Sequence, residues 1–296
     1  MVSSEMVLYA FLSFMWGWGI TKLSIPLSFR YRILDMPESR KLHKEVTPRG
    51  GGIVLWSGLL LFLLLARDHF EFDPSFFAWC ASATFLVGYL DDMRSLSPKV
   101  RLLVHITASI VALIPLYKSG NFPLWSWLTA SLWIAAMISA YNMIDGMNGL
   151  VLVIFAASSC MFMVVFHNIF WAFGFGIAIG ILPWNFPEAR TFLGDGGSTL
   201  LGFFHASILL YSISSYTPLT QSFVPLCLFL AFVGGIPFID MCFAILRRTV
   251  KGVSPFYPDK GHIHHRLLRR GFTASFVLVL MVSFHLAMLF ISIRFF

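Results

Sequence analysis

Charge is what this sequence has least of. Asp, Glu, Lys and Arg make up 12% of its 296 residues, while 58% are apolar and the mean hydropathy is +0.80. So few charges exclude an ordinary soluble domain, in which roughly a quarter of residues are charged. Long polar stretches are also missing. The two longest run over 28–49 and 247–274, which leaves no room for a separate soluble domain, so 1–296 is read as a single integral-membrane domain. Cysteine is scarce: Cys80, Cys160, Cys227 and Cys242 all fall inside apolar runs without CxxC spacing. They read as small buried hydrophobes rather than metal ligands. No basic stretch precedes Met6, so the first apolar run reads as a spanning helix and not as a cleaved signal peptide. No internal repeat relates the two halves.

What the chain has in quantity is apolar runs of spanning length, about 20 residues each. Ten are recognised, at 6–27, 50–66, 74–90, 101–117, 123–141, 149–167, 169–184, 198–214, 222–246 and 275–294. The expected fold is therefore all-α, a polytopic membrane bundle of about ten transmembrane helices. If their direction alternates, 18 of the 21 Lys and Arg fall in the breaks after the odd-numbered runs. The positive-inside rule puts that side in the cytoplasm and both termini outside. The net charge of +7 is then a property of one face, and no nucleic-acid partner is needed to explain it.

The few carboxylates gather on that same face. Asp91 and Asp92 close the third run; Asn142, Asp145 and Asn148 follow the fifth at a spacing of three, which would stack them along one helical face. Asn185 and Asp195 follow the seventh, with Gly196, Gly197 and Ser198 expected to expose backbone amides at a helix start. The loop after the ninth holds Asp259, His262, His264, His265 and Arg266. Carboxylates at membrane depth are costly and by default mark function. Hard oxygen donors without thiolates favour Mg²⁺ or Mn²⁺, which typically use one or two carboxylates plus substrate phosphate oxygens, so a diphosphate substrate is implied. Singly, each cluster reads equally well as a turn or a helix cap. Zinc at the histidines is disfavoured by Lys260, Arg266, Arg269 and Arg270, whose field repels a cation and attracts phosphate. Asp240, within the ninth run after the kink-prone Gly234-Gly235-Ile236-Pro237, either pairs with a basic neighbour or lines the cleft.

An Asp-Asp pair after the third helix, Asn-x-x-Asp-Gly-x-Asn-Gly at 142–149, Phe-x-Gly-Asp-x-Gly-Ser at 192–198 and a His-x-His-His loop occur in order. In these blocks the chain resembles the polyprenyl-phosphate N-acetylhexosamine-1-phosphate transferase family over nearly its whole length. The resemblance implies a phosphoglycosyltransferase of the bacterial cytoplasmic membrane with its active site in the cytoplasmic loops. It would move a sugar 1-phosphate from a UDP-N-acetyl sugar to undecaprenyl phosphate, releasing UMP, at the first lipid-linked step of a surface polysaccharide such as O-antigen. It implies Asp195 and Asn148 at the Mg²⁺ (or Mn²⁺) site and Asp91, Asp92 and Asp145 as catalytic carboxylates. Asn142, Asn185, His262, His264, His265 and Arg266 would bind substrate. Arg49, in a Thr-Pro-Arg-Gly-Gly-Gly stretch, would touch phosphate or anchor a helix end. Ser95 departs from the family's Asp or Asn and is left out of the metal site. A homodimer is compatible with the chain. The translocase that uses UDP-MurNAc-pentapeptide is the alternative within the family, although it usually has a longer chain and a triple-His loop. From another class, an ion-coupled carrier would place its charges near mid-bilayer.

Overall fold

A computed structural model describes residues 2–36, 45–70, 73–120, 122–214, 222–257, 259 and 261–295. Arg40, Lys41, Lys44 and Lys260, counted above among the basic residues of that face, lie outside them. Among the described residues each of the ten apolar runs is helical. They form α1 (Ser4–Arg30), α2 (Gly51–Leu65), α3 (Pro74–Arg94), α4 (Pro98–Ala112) with α5 (Ile114–Lys118), α6 (Leu124–Ile144), α7 (Leu150–Phe166), α8 (Ile169–Asn185), α9 (Gly194–Ser214), α10 (Phe223–Val250) and, after a short α11 (Ile263–Arg269), α12 (Ala274–Phe295). Among the described residues six spans are long and apolar enough to cross a membrane: α1, the α4–α5 stretch, α6, α9, α10 and α12. Three shorter helices, α2, α7 and α8, are apolar as well.

Two departures from the expected runs have local causes. The fourth run breaks at Leu113, because Pro115 lacks the N–H for a helical bond and its ring clashes with the carbonyl four residues back. The basic loop after α10 contains α11, seven residues that no apolar periodicity marks. The cysteines are a correction: Cys80 is buried, but Cys160 and Cys242 are exposed on the outside of the bundle. A membrane bundle turns apolar side chains outward to lipid as readily as inward, so an apolar run does not imply burial.

Helix α9 is the axis of the bundle, buried along almost its whole length, with α2, α3, α6 and α7 packed around it. Lipid is as apolar as a leucine side chain, so helices in a membrane associate through close packing, which small residues at the interface permit. The contact of α1 with α8 is of this kind. A Cβ on Gly176 would lie 2.1 Å from the Ala10 carbonyl oxygen, and one on Gly180 2.4 Å from that of Phe14. Trp184 Nε1 donates to the Trp18 carbonyl at 3.1 Å at the end of the same contact.

Candidate active site

The loops that join these helices at one end are stitched together by backbone. Strands β1 (Leu34–Asp35) and β2 (Thr47–Pro48) pair antiparallel, Leu34 opposite Pro48 and Asp35 opposite Thr47. The Phe192 N–H then donates to the Pro48 carbonyl (2.8 Å) and the Gly51 N–H to the Phe192 carbonyl (3.0 Å). Arg49 is thereby held beside the end of α3. Its guanidinium bonds Asp35 Oδ1 at 2.6 Å and Asp92 Oδ1 at 2.7 Å, and reaches the Asp92 carbonyl at 3.0 Å.

On the other side Arg101, one turn into α4, binds Asp91 and also bonds Asp195 Oδ2 at 3.0 Å. Asp195 lies in the first turn of α9, where Asn142 Nδ2 donates to it (3.3 Å) and Ser198 Oγ donates to Asn142 Oδ1 (3.0 Å). Gly194 ends the loop at φ 69°, a left-handed conformation that side chains resist, and a Cβ there would stand 2.5 Å from Asp92 Oδ2. Asp145 differs from the other three. Among the described residues no cation faces it. Desolvation by the surrounding protein raises its pKa to about 8, and the nearby charges of Asp195 and Asp92 push the same way. All this opens into a cleft of about 480 Å³ lined by Arg49, Asp92, Asp145, Asn148, Asp195 and His265 among others.

The histidine arm reaches the cleft from α10. Asp240, buried, accepts from His262 Nδ1 (2.7 Å) and from the Ile263 N–H (3.0 Å), so it anchors the N-cap of α11. His264 and His265 then lie against Gly146; a Cβ there would be 2.5 Å from His264 Nε2 and 3.3 Å from His265 Nε2. Neither ring nitrogen of His264 has a hydrogen-bond partner among the described residues. Its pKa falls to about 3 through burial first, then the charge of His265. The loop before the arm is braced at Asp259. Burial would raise that carboxyl, but the Gly261 N–H, Arg247 and Arg248 outweigh it and hold it near 2.

Several expected roles change in this geometry. Asn142, Asp145 and Asn148 do not share a helical face, because α6 ends at Ile144 and Gly149, at φ 74°, turns the chain. The three converge through a turn instead. The Gly196 amide, expected to be open, is directed at Asp92 Oδ2 (3.4 Å). Asn185 borders the cleft, but its polar atoms are spent on the Gly149 N–H (2.7 Å) and the Thr191 carbonyl (2.8 Å), joining two site loops. Asn148 donates to the Pro187 carbonyl at 3.1 Å, which leaves its oxygen available. Arg266 is exposed and borders a separate groove with Arg247 and Lys251. Asp240 pairs with His262. Two residues were missed, Asp35 and Arg101. For Arg101 a signal existed, a basic residue ten positions beyond Asp91 across a Ser-Pro turn; for Asp35 there was none.

A multi-pass helical membrane protein with a carboxylate cleft at its helix ends, faced by arginine and histidine, is built to handle phosphate. Residues 75–213 match glycosyl transferase family 4. The undecaprenyl-phosphate α-N-acetylglucosaminyl 1-phosphate transferase of Escherichia coli (strain K12) is 32% identical over 286 residues, 86% of this chain and 75% of that protein. The enzyme of the same name from Thermotoga maritima is 32% identical over 259 residues, covering 86% and 78%. A probable undecaprenyl-phosphate N-acetylglucosaminyl 1-phosphate transferase of Bacillus subtilis is 27% identical over 285 residues, covering 90% and 78%. The chain belongs to glycosyl transferase family 4 and is a membrane transferase.

Proposed function

We propose that this protein transfers an N-acetylhexosamine 1-phosphate from a UDP-sugar to undecaprenyl phosphate at the cytoplasmic face of a bacterial membrane, as the first lipid-linked step of a surface polysaccharide. The single observation that carries the reading is the convergence of Asp92, Asp145 and Asp195 with Arg49 and His265 on one cleft. The names of the relatives supply the acceptor. The ten helices would all span, with both termini outside, so that the cleft and the basic loops share one side.

In the reaction a lipid phosphate oxygen forms a bond to the sugar-linked phosphorus while the bond from that phosphorus to the bridging oxygen breaks, and UMP leaves with that oxygen. A phosphate monoester loses its second proton near pH 6, so the acceptor is mostly a dianion without a strong base. The obstacle is the approach of two polyanions. Arg49 and Arg101 fix Asp92, Asp91 and Asp195 in place, and His265, backed by the buried His264, bounds the cleft where the nucleotide diphosphate would lie. Asp145, facing two carboxylates and, among the described residues, no cation, is where a divalent ion would offset the crowding of acidic groups. Asp195 and the free oxygen of Asn148 complete the donors that would hold Mg²⁺ or Mn²⁺. When bound, the ion supplies charge neutralisation between donor and acceptor phosphates.

The test is UMP release by purified protein given undecaprenyl phosphate, Mg²⁺ and a panel of UDP-N-acetyl sugars. Release that requires the lipid is expected with one of them, and His265→Ala is expected to raise the KM for that sugar nucleotide about tenfold. Lipid-independent release, or none with any sugar, would sink the assignment.

Metal affinity gives a second expected result. Because Asp145 keeps its proton up to about pH 8, an incoming cation must displace it. Asp195, raised to about 7 by burial and then by Asp92, must lose its proton as well, so apparent Mg²⁺ affinity should rise at least tenfold per pH unit between 6 and 8, most steeply below 7, and level off above. The sign in the metal-free protein is opposite: a raised carboxyl pKa favours the folded state at low pH, and that advantage fades as pH climbs toward 8. Isothermal titration with Mg²⁺ at several pH values reads the slope; a flat profile would remove Asp145 from the ion's surroundings.

A further inference from the structure

Helix α10 is broken at Gly235 (φ 59°, ψ −152°), two residues before Pro237. A break in mid-bundle leaves backbone groups that lipid cannot satisfy. The Ile236 N–H is instead taken by α12, where His285 Nδ1 accepts it at 3.3 Å. A ring nitrogen that accepts carries no proton, so Nε2 carries it and donates to Ser158 Oγ (2.6 Å), whose hydroxyl donates to the Ile154 carbonyl (2.9 Å). One neutral tautomer thus satisfies every donor along this line. His285 is fully buried, and Gly235 is shaped to it, since a Cβ there would lie 2.1 Å from Nδ1.

What the break aims is the lower half of α10. That half carries Asp240, which anchors both His262 Nδ1 and the Ile263 N–H. We propose that His285, remote from the cleft, is a positioning residue: by holding the break in α10 it sets Asp240, and through Asp240 the His262–His265 arm against the Gly146 turn, and so governs the grip on the donor nucleotide. This rests on the reading that the arm faces the UDP-sugar.

The experiment compares His285→Asn, His285→Gln and His285→Ala. An Asn amide places its oxygen where Nδ1 stands and keeps the acceptor for Ile236; a Gln amide reaches the Nε2 position and serves Ser158 instead. The KM for the UDP-sugar should stay near wild type in His285→Asn and rise about tenfold or more in the Gln and Ala variants. The KM for undecaprenyl phosphate should stay within about twofold in all three. A merely structural role would shift both constants together and would not separate Asn from Gln. Spin labels at Val250 and Leu103, both exposed, in a background with the native cysteines replaced, read the break without reference to catalysis. Their distance distribution should move in the Gln and Ala variants only. An unmoved distribution in all three overturns the lock, and a moved one with unchanged donor KM overturns the positioning claim. If His265→Ala also leaves that KM unchanged, the arm's assignment to the nucleotide has failed, while the spin labels still report on the lock.

Discussion

Asp195→Asn should lower UMP release at least a thousandfold, about 4 kcal/mol in the barrier, while leaving the metal-free protein as stable as wild type or more so. The two halves of this result have one cause. Burial, with Asp195 and Asp92 beside it, keeps the proton on Asp145, and Asp195 and Asp92 repel each other, a cost the fold bears without a cation. An amide of the same shape still accepts from Arg101 and packs beside Asn142, so the helix start survives, and the repulsion falls. What disappears is the charge that a divalent ion needs. Turnover measured beside thermal unfolding in detergent checks both halves. A variant that is inactive because it is unfolded would show a fallen unfolding temperature, and wild-type turnover would discard the metal assignment.

Gly194→Ala should be nearly as damaging without touching a charge. The backbone there is left-handed and the new Cβ would meet Asp92 Oδ2 at 2.5 Å. Alanine in that conformation costs roughly 1–2 kcal/mol, and the carboxylate has to retreat, taking its bond to Arg49 with it. Misplacement of a site group by about 1 Å can cost about a hundredfold in rate, so a drop of that order in kcat is expected with only a modest loss of stability. A near-normal rate would mean that Asp92 does not need its present position.

The helices were legible because hydropathy marks them directly, and all ten runs are helical. Less legible was what interrupts them. Pro115 breaks the fourth run, and α11 is too short and polar to show a period. In the site, the four Asp-bearing clusters were visible from residue type and order. Their arrangement was misjudged wherever a helix was assumed to continue: Asp145 and Asn148 follow the end of α6, and Gly149 redirects the chain. Arg101 was read only as part of a basic face, since a charge pair across α3, α4 and α9 leaves no periodic trace. Asp35 meets Arg49 only because two short strands pair, a long-range event that local sequence does not encode. Local sequence does not decide between pairing and cleft-lining for Asp240, because its partner, His262, stands 22 residues away.

The glycine contact between α1 and α8 has a consequence for how the molecule is made. A ribosome delivers α1 to the membrane long before α8 exists; Trp18 and the Trp184 that bonds it are separated by 166 positions. Until then the Gly176 and Gly180 notches that receive α1 are unsynthesised, and α1 has its contact with α2, where Trp16 Nε1 donates to the Val54 carbonyl at 3.3 Å, but not its seat on α8. Its seating against α8 is therefore among the later events of biogenesis, and the loop it carries, with Asp35 and Arg49, is tied to the cleft only after Phe192, which bonds Pro48 and Gly51, has been made.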